Sequence, residues 1–251
     1  GGRVLAVRLS AFGDVVKAIP AMRALASARP DLRIEWLTED RHAELVDSLT
    51  FVEHTWVFPR KGWIHPRGWI RMARHLGDFA GRRWDAVLDF QANSKSRFQL
   101  ALTRSGTQVS RDSSVPSRQS AVERDADLVR SLGIAVEATA PWKWALPDGL
   151  KTEEMGTEGE RPVLLLPDTT PYGRDKAWPD SRWVALAQGL RSEGIPVQFL
   201  QPPNNSRAAI LAAQADCAIA PSTPSLPELA ALLDGCRAVV GTDSGPVHLA
   251  A

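Results

Sequence analysis

The chain has 251 residues, of which 44% are apolar, and carries a formal net charge of +1, so it can bury one large core or two of ordinary size. No apolar run approaches the ~18 residues of a membrane span, and a pI of about 8.0 is too modest to indicate a nucleic-acid binder. The two cysteines lack the spacing of a metal site, so we expect Cys217 and Cys236 to be buried thiols of a cytoplasmic protein.

From the N-terminus onward, strand-like apolar runs alternate with stretches of helical period, which is typical of parallel α/β sheets. Strands are predicted at residues 4–9, 33–37, 55–58 and 86–90, and helices at residues 14–28, 41–48, 69–79, 95–103 and 122–132. The serine-rich stretch 105–120 shows neither period, so we expect an irregular loop there.

A polar, glycine-containing stretch at residues 147–161 predicts a linker between two domains. After it the alternation resumes, with strands predicted at 163–166, 197–200 and 238–241 and helices at 181–192, 206–214 and 225–233. The sequence therefore predicts two Rossmann-like domains, residues 1–146 and 162–251. Ligands of such sheets bind beyond the carboxyl ends of the strands, so we expect the site in a cleft between the domains.

The charge is unevenly distributed. Residues 1–150 carry 22 basic and 17 acidic side chains, or +5, whereas residues 151–251 carry 8 and 12, or −4. Residues 60–83 contain seven Arg and Lys but a single acid, Asp78. Large apolar residues lie between the basic ones, namely Trp63, Ile64, Trp69 and Ile70. This stretch is interpreted either as a surface for an anionic membrane or as a helix with a solvated basic face.

The first predicted strand runs into Arg8, Gly13 and Asp14 at the start of a helix. Two interpretations of Asp14 remain open. It is either a general base, with Arg8 orienting an anionic acceptor, or an acid that caps or begins the helix and stabilises it by ~1 kcal/mol.

The first strand of the second domain is followed by Thr169, Thr170 and Lys176. Two hydroxyls and an ammonium group at this place are typical of a diphosphate clamp. The alternative interpretation, a threonine-rich turn with a solvated lysine, stays open. Neither GxxxxGK[ST] nor GxGxxG occurs after any predicted strand, which argues against a Walker-type nucleotidase and a nicotinamide enzyme.

The last predicted strand runs into Asp243, Ser244 and Gly245, and His248 follows. Backbone N–H groups and the positive end of the dipole at a helix start favour a phosphate. Gly245 is expected to let that phosphate approach closely, and Ser244 and His248 to add donors.

Four segments together resemble one family, and they occur in the same order along residues 3–251. They are residues 8–20 (RLSAFGDVVKAIP), 89–96 (DFQANSKS), 169–183 (TTPYGRDKAWPDSRW) and 241–251 (GTDSGPVHLAA). In this combination the chain resembles glycosyltransferase family 9, the lipopolysaccharide heptosyltransferases, with the heptosyltransferase I type nearest.

The resemblance implies an α/β GT-B fold and transfer of a heptose from ADP-heptose to a Kdo sugar of the lipopolysaccharide inner core, with inversion and with neither metal nor cofactor. It assigns Asp14 as the catalytic base and Lys176 as the cation that offsets the charge of the leaving group. It assigns donor binding to Gly13, Thr169, Thr170, Lys176, Asp243, Ser244, Gly245 and His248. It assigns acceptor binding to Arg60, Lys61 and Lys95, and we add Arg8 because it lies near Asp14 in the sequence.

The same resemblance implies a cytoplasmic enzyme at the surface of the inner membrane, without a nucleic-acid partner. Where the family carries an acidic residue for the nucleotide ribose, this chain has the segment 201–205 (QPPNN), in which Asn205 retains a side chain able to hydrogen-bond. The family also continues beyond the last predicted helix, so we expect the second domain to be incomplete in this sequence. Two alternatives therefore stay open: a GT-B transferase or epimerase with another nucleotide sugar, and a truncated homologue that only binds an anion.

Overall fold

Buried apolar strands alternate with helices along the chain in the computed structural model, which describes residues 1–59, 66–111, 119–137, 161–168, 175, 177–203, 205–223 and 225–251. The chain divides into two units, Gly1–Ala145 and Leu146–Ala251. The predicted linker lies outside the described residues, except for Arg161. Among the described helices, none has the length and apolar character needed to cross a bilayer.

The first unit is built around a parallel sheet of five strands in the order β3-β2-β1-β4-β5. Its elements are β1 (Arg3–Val7), α1 (Phe12–Ala28), β2 (Arg33–Glu39), α2 (Ala43–Asp47), β3 (Val52–Phe58), α3 (Pro66–Ala80), β4 (Arg83–Asp89), α4 (Ser94–Leu100), β5 (Arg104–Ser110) and α5 (Ala121–Arg130). The central strand β1 is almost wholly apolar and buried, as expected of a parallel strand covered on both faces.

The second unit contains a parallel sheet of four strands in the order β8-β7-β6-β9. Its elements are β6 (Val163–Leu166), α6 (Asp180–Ser192), β7 (Val197–Phe199), α7 (Arg207–Ala215), β8 (Ala218–Ile219), α8 (Leu226–Gly235), β9 (Ala238–Gly241) and α9 (Gly245–Ala250). In both sheets the strand order reverses beside the first strand, which is where ligands of such folds bind.

A buried carboxylate joins the aromatic core of the first unit to its sheet. Glu35 Oε2 accepts hydrogen bonds from the indole N–H groups of Trp56 at 2.7 Å and Trp84 at 3.0 Å. Both indoles pack edge-on or tilted against Phe79. The burial of this carboxyl group is tolerated because indole donors satisfy it.

The predicted strands and helices are confirmed, with no end displaced by more than three residues. The expected irregular loop at 105–120 is wrong in its first part, because Arg104–Ser110 forms β5 and pairs in parallel with β4. This edge strand is mostly exposed and polar, so it shows no apolar alternation. Backbone pairing holds it, and it passes so near β4 that a Cβ on Gly106 would lie 2.9 Å from the carbonyl oxygen of Asp85.

The sequence also gave no indication of β8, a two-residue strand at the exposed edge of the second sheet. Cys217 and Cys236 are thiols, as expected, but both are half-buried rather than fully buried. Burial nevertheless raises the pKa of Cys236 to about 11.

Candidate functional site

The loops that follow β1 and β4 lie side by side at the carboxyl edge of the first sheet, because β1 and β4 are paired up to Val7 and Asp89. One side chain ties the two loops together. The side-chain oxygen of Gln91 accepts hydrogen bonds from the backbone N–H groups of Leu9 and Ser10, each at 3.1 Å. Gln91 thus fixes the path of the chain into α1, where Asp14 lies.

The motif at residues 89–96 shapes the second of these loops. Buried Asp89 accepts backbone N–H groups from Gln91 at 3.0 Å and Ala92 at 2.9 Å through Oδ1, and the Ser96 hydroxyl at 2.9 Å through Oδ2. Asn93 caps α4 by accepting the backbone N–H groups of its first turn. These polar residues therefore build a loop that presents Lys95 at the start of α4.

Asp14 lies in the first turn of α1, where it accepts the backbone N–H of Ala11 at 3.4 Å. Its carboxylate is 3.0 Å from Nη2 of Arg8 and 3.9 Å from Nζ of Lys17. The side chain keeps 40% of its surface exposed. The two interpretations of Asp14 are therefore compatible, since a first-turn acid is here also an accessible carboxylate held between two cations.

Arg8 follows β1 and is buried, with only 7% of its side chain exposed. Its guanidinium bridges the two loops, because Nη1 donates to the carbonyl oxygen of Phe90 while Nη2 contacts Asp14. Burial lowers the pKa of Arg8, and the negative charges of Asp14 and Asp125 oppose that shift. In this structure Arg8 contacts Asp14 directly, so its geometry favours holding the carboxylate.

Lys95 extends from α4 with 53% of its side chain exposed. Its Nζ lies 3.6 Å from one oxygen of buried Glu39, and Nε of Arg41 lies 3.0 Å from the other. Glu39 ends β2, so one buried carboxylate holds two cations at the same edge of the sheet as Asp14. The sequence analysis had singled out Lys95 but neither Glu39 nor Arg41.

A second ion pair at this edge is largely buried. Arg111 follows β5 and its Nη1 lies 3.5 Å from Oδ1 of Asp125, whose side chain is only 1% exposed. Burial raises the pKa of Asp125 to about 6. Asp125 was not among the predicted site residues. Its position offered one signal, because an acid three residues before buried Leu128 and four before buried Val129 lies on the apolar face of α5.

In the second unit, the residues predicted to bind a phosphate lie where β9 runs into α9. Ser244 is the N-cap of α9, and Nε2 of His248 lies 2.8 Å from Oδ1 of Asp243. A Cβ on Gly241 would lie 2.5 Å from Cγ2 of Val247. The glycine therefore allows α9 to begin directly against the end of β9.

The loop after β6 is joined to its neighbours by Asp168, which the sequence analysis did not single out. Its Oδ1 accepts the side-chain N–H of Asn205 at 2.8 Å, and its carbonyl oxygen accepts the Thr242 hydroxyl at 3.3 Å. Arg207 donates to the carbonyl oxygen of Pro167 at 2.6 Å. Desolvation raises the pKa of Asp168.

Several predicted site residues fall outside the described part of the chain, namely Arg60, Lys61, Thr169, Thr170 and Lys176. Gly13 lies in the first turn of α1 and Gly245 begins α9. Among the described residues, no three His, Cys, Asp or Glu side chains form a group that could hold a metal ion.

The chain matches one family model and several curated proteins. The model of "Glycosyltransferase family 9 (heptosyltransferase)" matches residues 74–251. The curated lipopolysaccharide heptosyltransferase 1 of Escherichia coli K12 is 27% identical over 99% of this chain and 84% of its own length. The corresponding protein of Pseudomonas aeruginosa is 29% identical over 99% of this chain and 75% of its own length.

Among solved structures, E. coli heptosyltransferase WaaC with ADP-2-deoxy-2-fluoro heptose gives a TM-score of 0.80 at 26% identity, covering 99% of this chain and 85% of that one. A family 9 glycosyl transferase from Veillonella parvula gives a TM-score of 0.78 at 18% identity, covering 99% and 78%. These matches confirm the predicted fold class, two parallel α/β units of the GT-B type.

Proposed function

We propose that this chain, which belongs to glycosyltransferase family 9, transfers a heptose from ADP-heptose to a Kdo sugar of the lipopolysaccharide inner core, with inversion and without a metal. The curated relatives support the lipopolysaccharide acceptor by their names. The donor is supported by WaaC, whose solved structures hold ADP and a fluorinated ADP-heptose.

One observation carries the proposal: Asp14 is an accessible carboxylate held at the carboxyl edge of the first sheet by Arg8 and Lys17. A nucleoside diphosphate is already a good leaving group, so the reaction needs one base to take the proton from the acceptor hydroxyl. Attack by that hydroxyl on the anomeric carbon, with ADP leaving from the opposite face, inverts the centre in a single displacement.

For the donor, we propose that the segment Asp243–His248 binds the diphosphate, with Thr169, Thr170 and Lys176 as further contacts from the family resemblance. The ammonium group of Lys176 would stabilise the developing negative charge in place of a metal. Two features of the second unit support this role: the close contact at Gly241 fixes where α9 starts, and the Asp243 carboxylate orients the His248 ring.

For the acceptor, we propose that cations at the edge of the first sheet bind the Kdo carboxylate and the phosphates of lipid A. Lys95 and Arg41 are held there by Glu39. Arg60 and Lys61 join them by resemblance. The net charge of +5 over residues 1–150 suits an acceptor that carries several negative charges.

We further propose that the enzyme works at the cytoplasmic surface of the inner membrane, where this acceptor is anchored. Helix α3 exposes Trp69 and Ile70, whose surfaces are 62% and 64% accessible. Arg74 is exposed one turn along the same helix. Apolar side chains beside basic ones are typical of a segment that rests on anionic lipid.

Replacement of the base tests the proposal most sharply. In Asp14→Asn, kcat should fall by about 10²- to 10⁴-fold, the usual contribution of a general base, while ADP binding measured by calorimetry stays unchanged. Asp31→Asn is the matched control, because Asp31 is an exposed acid before β2, at the opposite edge of the same sheet, paired only with Arg29 among the interactions described. Near-normal turnover of Asp14→Asn would contradict the assignment of Asp14 as the base.

The nucleotide is tested separately, because Gln201, Pro202 and Pro203 follow β7 where the family resemblance places an acid. Titration of the chain with ADP, UDP and GDP should give the tightest binding for ADP. Tighter binding of UDP or GDP would favour the alternative, a GT-B enzyme with another nucleotide sugar.

A further inference from the structure

We propose that Asp125 is a positioning residue for the proposed base: its buried carboxylate pairs with Arg111 and attracts the buried guanidinium of Arg8 at the edge of the first sheet, and Arg8 in turn contacts Asp14. The inference rests on the proposed role of Asp14. It adds to that role a group that lies in a different helix, α5, and is buried beneath the surface.

The geometry consists of two ion pairs that share a buried region. Outermost is Asp14, whose Oδ2 is 3.0 Å from Nη2 of Arg8. Deeper lies Asp125, whose Oδ1 is 3.5 Å from Nη1 of Arg111. Arg8 and Asp125 are 7% and 1% exposed, so water screens their attraction only weakly.

The charges alternate from the surface inward. Asp125 and Arg8 interact electrostatically, and so do Asp125 and Asp14. The charged groups that act on Asp125 are Arg111 after β5, Arg8 after β1, Asp14 in α1 and Arg124 in α5 itself. The two carboxylates therefore oppose the repulsion between Arg8 and Arg111, and removal of Asp125 would weaken that balance.

An acid at this position is poorly explained by stability alone. Its neighbours on the face of α5 are buried Ala126, Leu128 and Val129, and an apolar side chain would complete that face. Ionised groups in such surroundings cost free energy, whereas sites that carry proton chemistry commonly retain them.

The arrangement has a consequence for pH dependence. Burial raises the pKa of Asp125 to about 6, so the carboxylate is charged above that pH and neutral below it. When it is neutral, Arg8 loses the attraction of a buried negative charge, and we expect the position of Asp14 to change with it. Transfer should therefore show an inflection near pH 6 that belongs to Asp125.

The first experiment needs no turnover, so it separates this inference from the proposed function. The ¹³C-labelled carboxyl signals of ligand-free protein are followed by NMR from pH 4 to pH 8, with Asp125 and Asp14 assigned by their loss in Asp125→Asn and Asp14→Asn. We expect Asp125 to titrate near pH 6 and the Asp14 signal to shift in the same range. In Asp125→Asn, the Asp14 shift near pH 6 should vanish.

Asp127→Asn is the matched control, because Asp127 lies two residues along α5, is 47% exposed and pairs with Arg130 instead. It should leave the Asp14 signal as in the wild type. An Asp14 signal in the wild type that does not respond near pH 6 would overturn the proposal, with no variant required.

The second experiment measures transfer. Asp125→Asn should lower kcat by about 10- to 100-fold, as expected when a reacting group is misplaced, leave KM for the nucleotide sugar unchanged and remove the inflection near pH 6. Asp125→Glu should restore part of kcat because it restores the charge. Unchanged kcat in Asp125→Asn would contradict the positioning role of Asp125. An inactive wild type would instead contradict the proposed function, and the NMR result alone would then decide whether Asp125 positions Asp14.

Discussion

At the carboxyl edge of the first sheet, buried Arg8 contacts Asp14 while a second buried carboxylate, Asp125, lies behind it. At the corresponding edge of the second sheet, the described arginine, Arg207, donates instead to the carbonyl oxygen of Pro167 and to Asp180. Arg8 thus contacts the proposed base, whereas Arg207 joins the loop after β6 to Asp180 at the start of α6.

The difference agrees with the two tasks proposed above, a base in the first unit and a diphosphate site in the second. A base must keep a defined position and charge, which requires oppositely charged groups fixed by burial around Asp14. A diphosphate can instead be bound by backbone N–H groups at a helix start, so the second unit needs well-placed loops more than buried charges. Gly241 is one such feature of the second unit, because it lets α9 begin directly against β9.

We expect the largest difference between the two edges in local stability, when Arg8 or Arg207 is replaced. Arg8→Met should cost about 2–4 kcal/mol of local stability, because it removes the ion pair with Asp14, leaves buried Asp125 with one nearby positive charge fewer and deprives the Phe90 carbonyl of a donor. Arg207→Met should cost about 1–2 kcal/mol, the loss of a few partly solvated hydrogen bonds. Hydrogen exchange of the β1 and β6 amides measures each unit separately.

The kinetics of heptosyl transfer distinguish the two variants further. Arg8→Met should lower kcat because Asp14 loses its partner, whereas Arg207→Met should act mainly on KM for the donor. Equal effects of the two substitutions on kcat would remove the contrast between the edges.

The next effect concerns stability and pH. The pKa of Asp125 is about 6 in the folded protein against an ordinary value of 3.8, so its neutral form favours folding. That contribution is fully present below about pH 4 and is lost as pH rises through about 6. Two pKa units correspond to about 3 kcal/mol.

Asp125→Asn should therefore match the wild type in stability near pH 4 and exceed it by up to about 3 kcal/mol at pH 8. Hydrogen exchange of β1 at the two pH values measures the difference. A variant less stable than the wild type at pH 8 would show that the charged form of Asp125 holds the fold together.

The smallest effect tests the second edge. In Gly241→Ala, the new Cβ would lie 2.5 Å from Cγ2 of Val247 and 3.0 Å from Cβ of Leu166. Displacement of α9 should cost about 1–2 kcal/mol and weaken ADP binding in a calorimetric titration. Gly106→Ala is the control, because it crowds β5 of the first sheet and should leave ADP binding unchanged.

The elements of both sheets were predictable where burial imposes a pattern. Apolar runs such as the one in β1 gave strand positions, and the polar break after it located Asp14 at a helix start. Edge strand β5 was not predictable, because its backbone pairing leaves the side chains exposed and free to be polar.

The site was predictable only in part, and for a physical reason. Asp14 and Lys95 lie next to turns, where polar residues stand out in a sequence. Asp125 contacts Arg111 and Glu39 contacts Lys95, so these pairs form only when β2, α4, β5 and α5 are assembled. For Asp125, a charged residue on an otherwise apolar helix face was the one available signal.

The central claim, that this chain is a heptosyltransferase with Asp14 as its base, is tested most directly by following one reaction by mass spectrometry. The chain is incubated with ADP-heptose and Kdo-bearing lipid A, and the acceptor is compared between wild type, Asp14→Asn and Asp31→Asn. We predict that the acceptor gains one heptosyl residue with release of one ADP in the wild type and in Asp31→Asn, and gains none on the same timescale in Asp14→Asn. Equal product from Asp14→Asn, or no product from a wild type that binds ADP, would contradict the account.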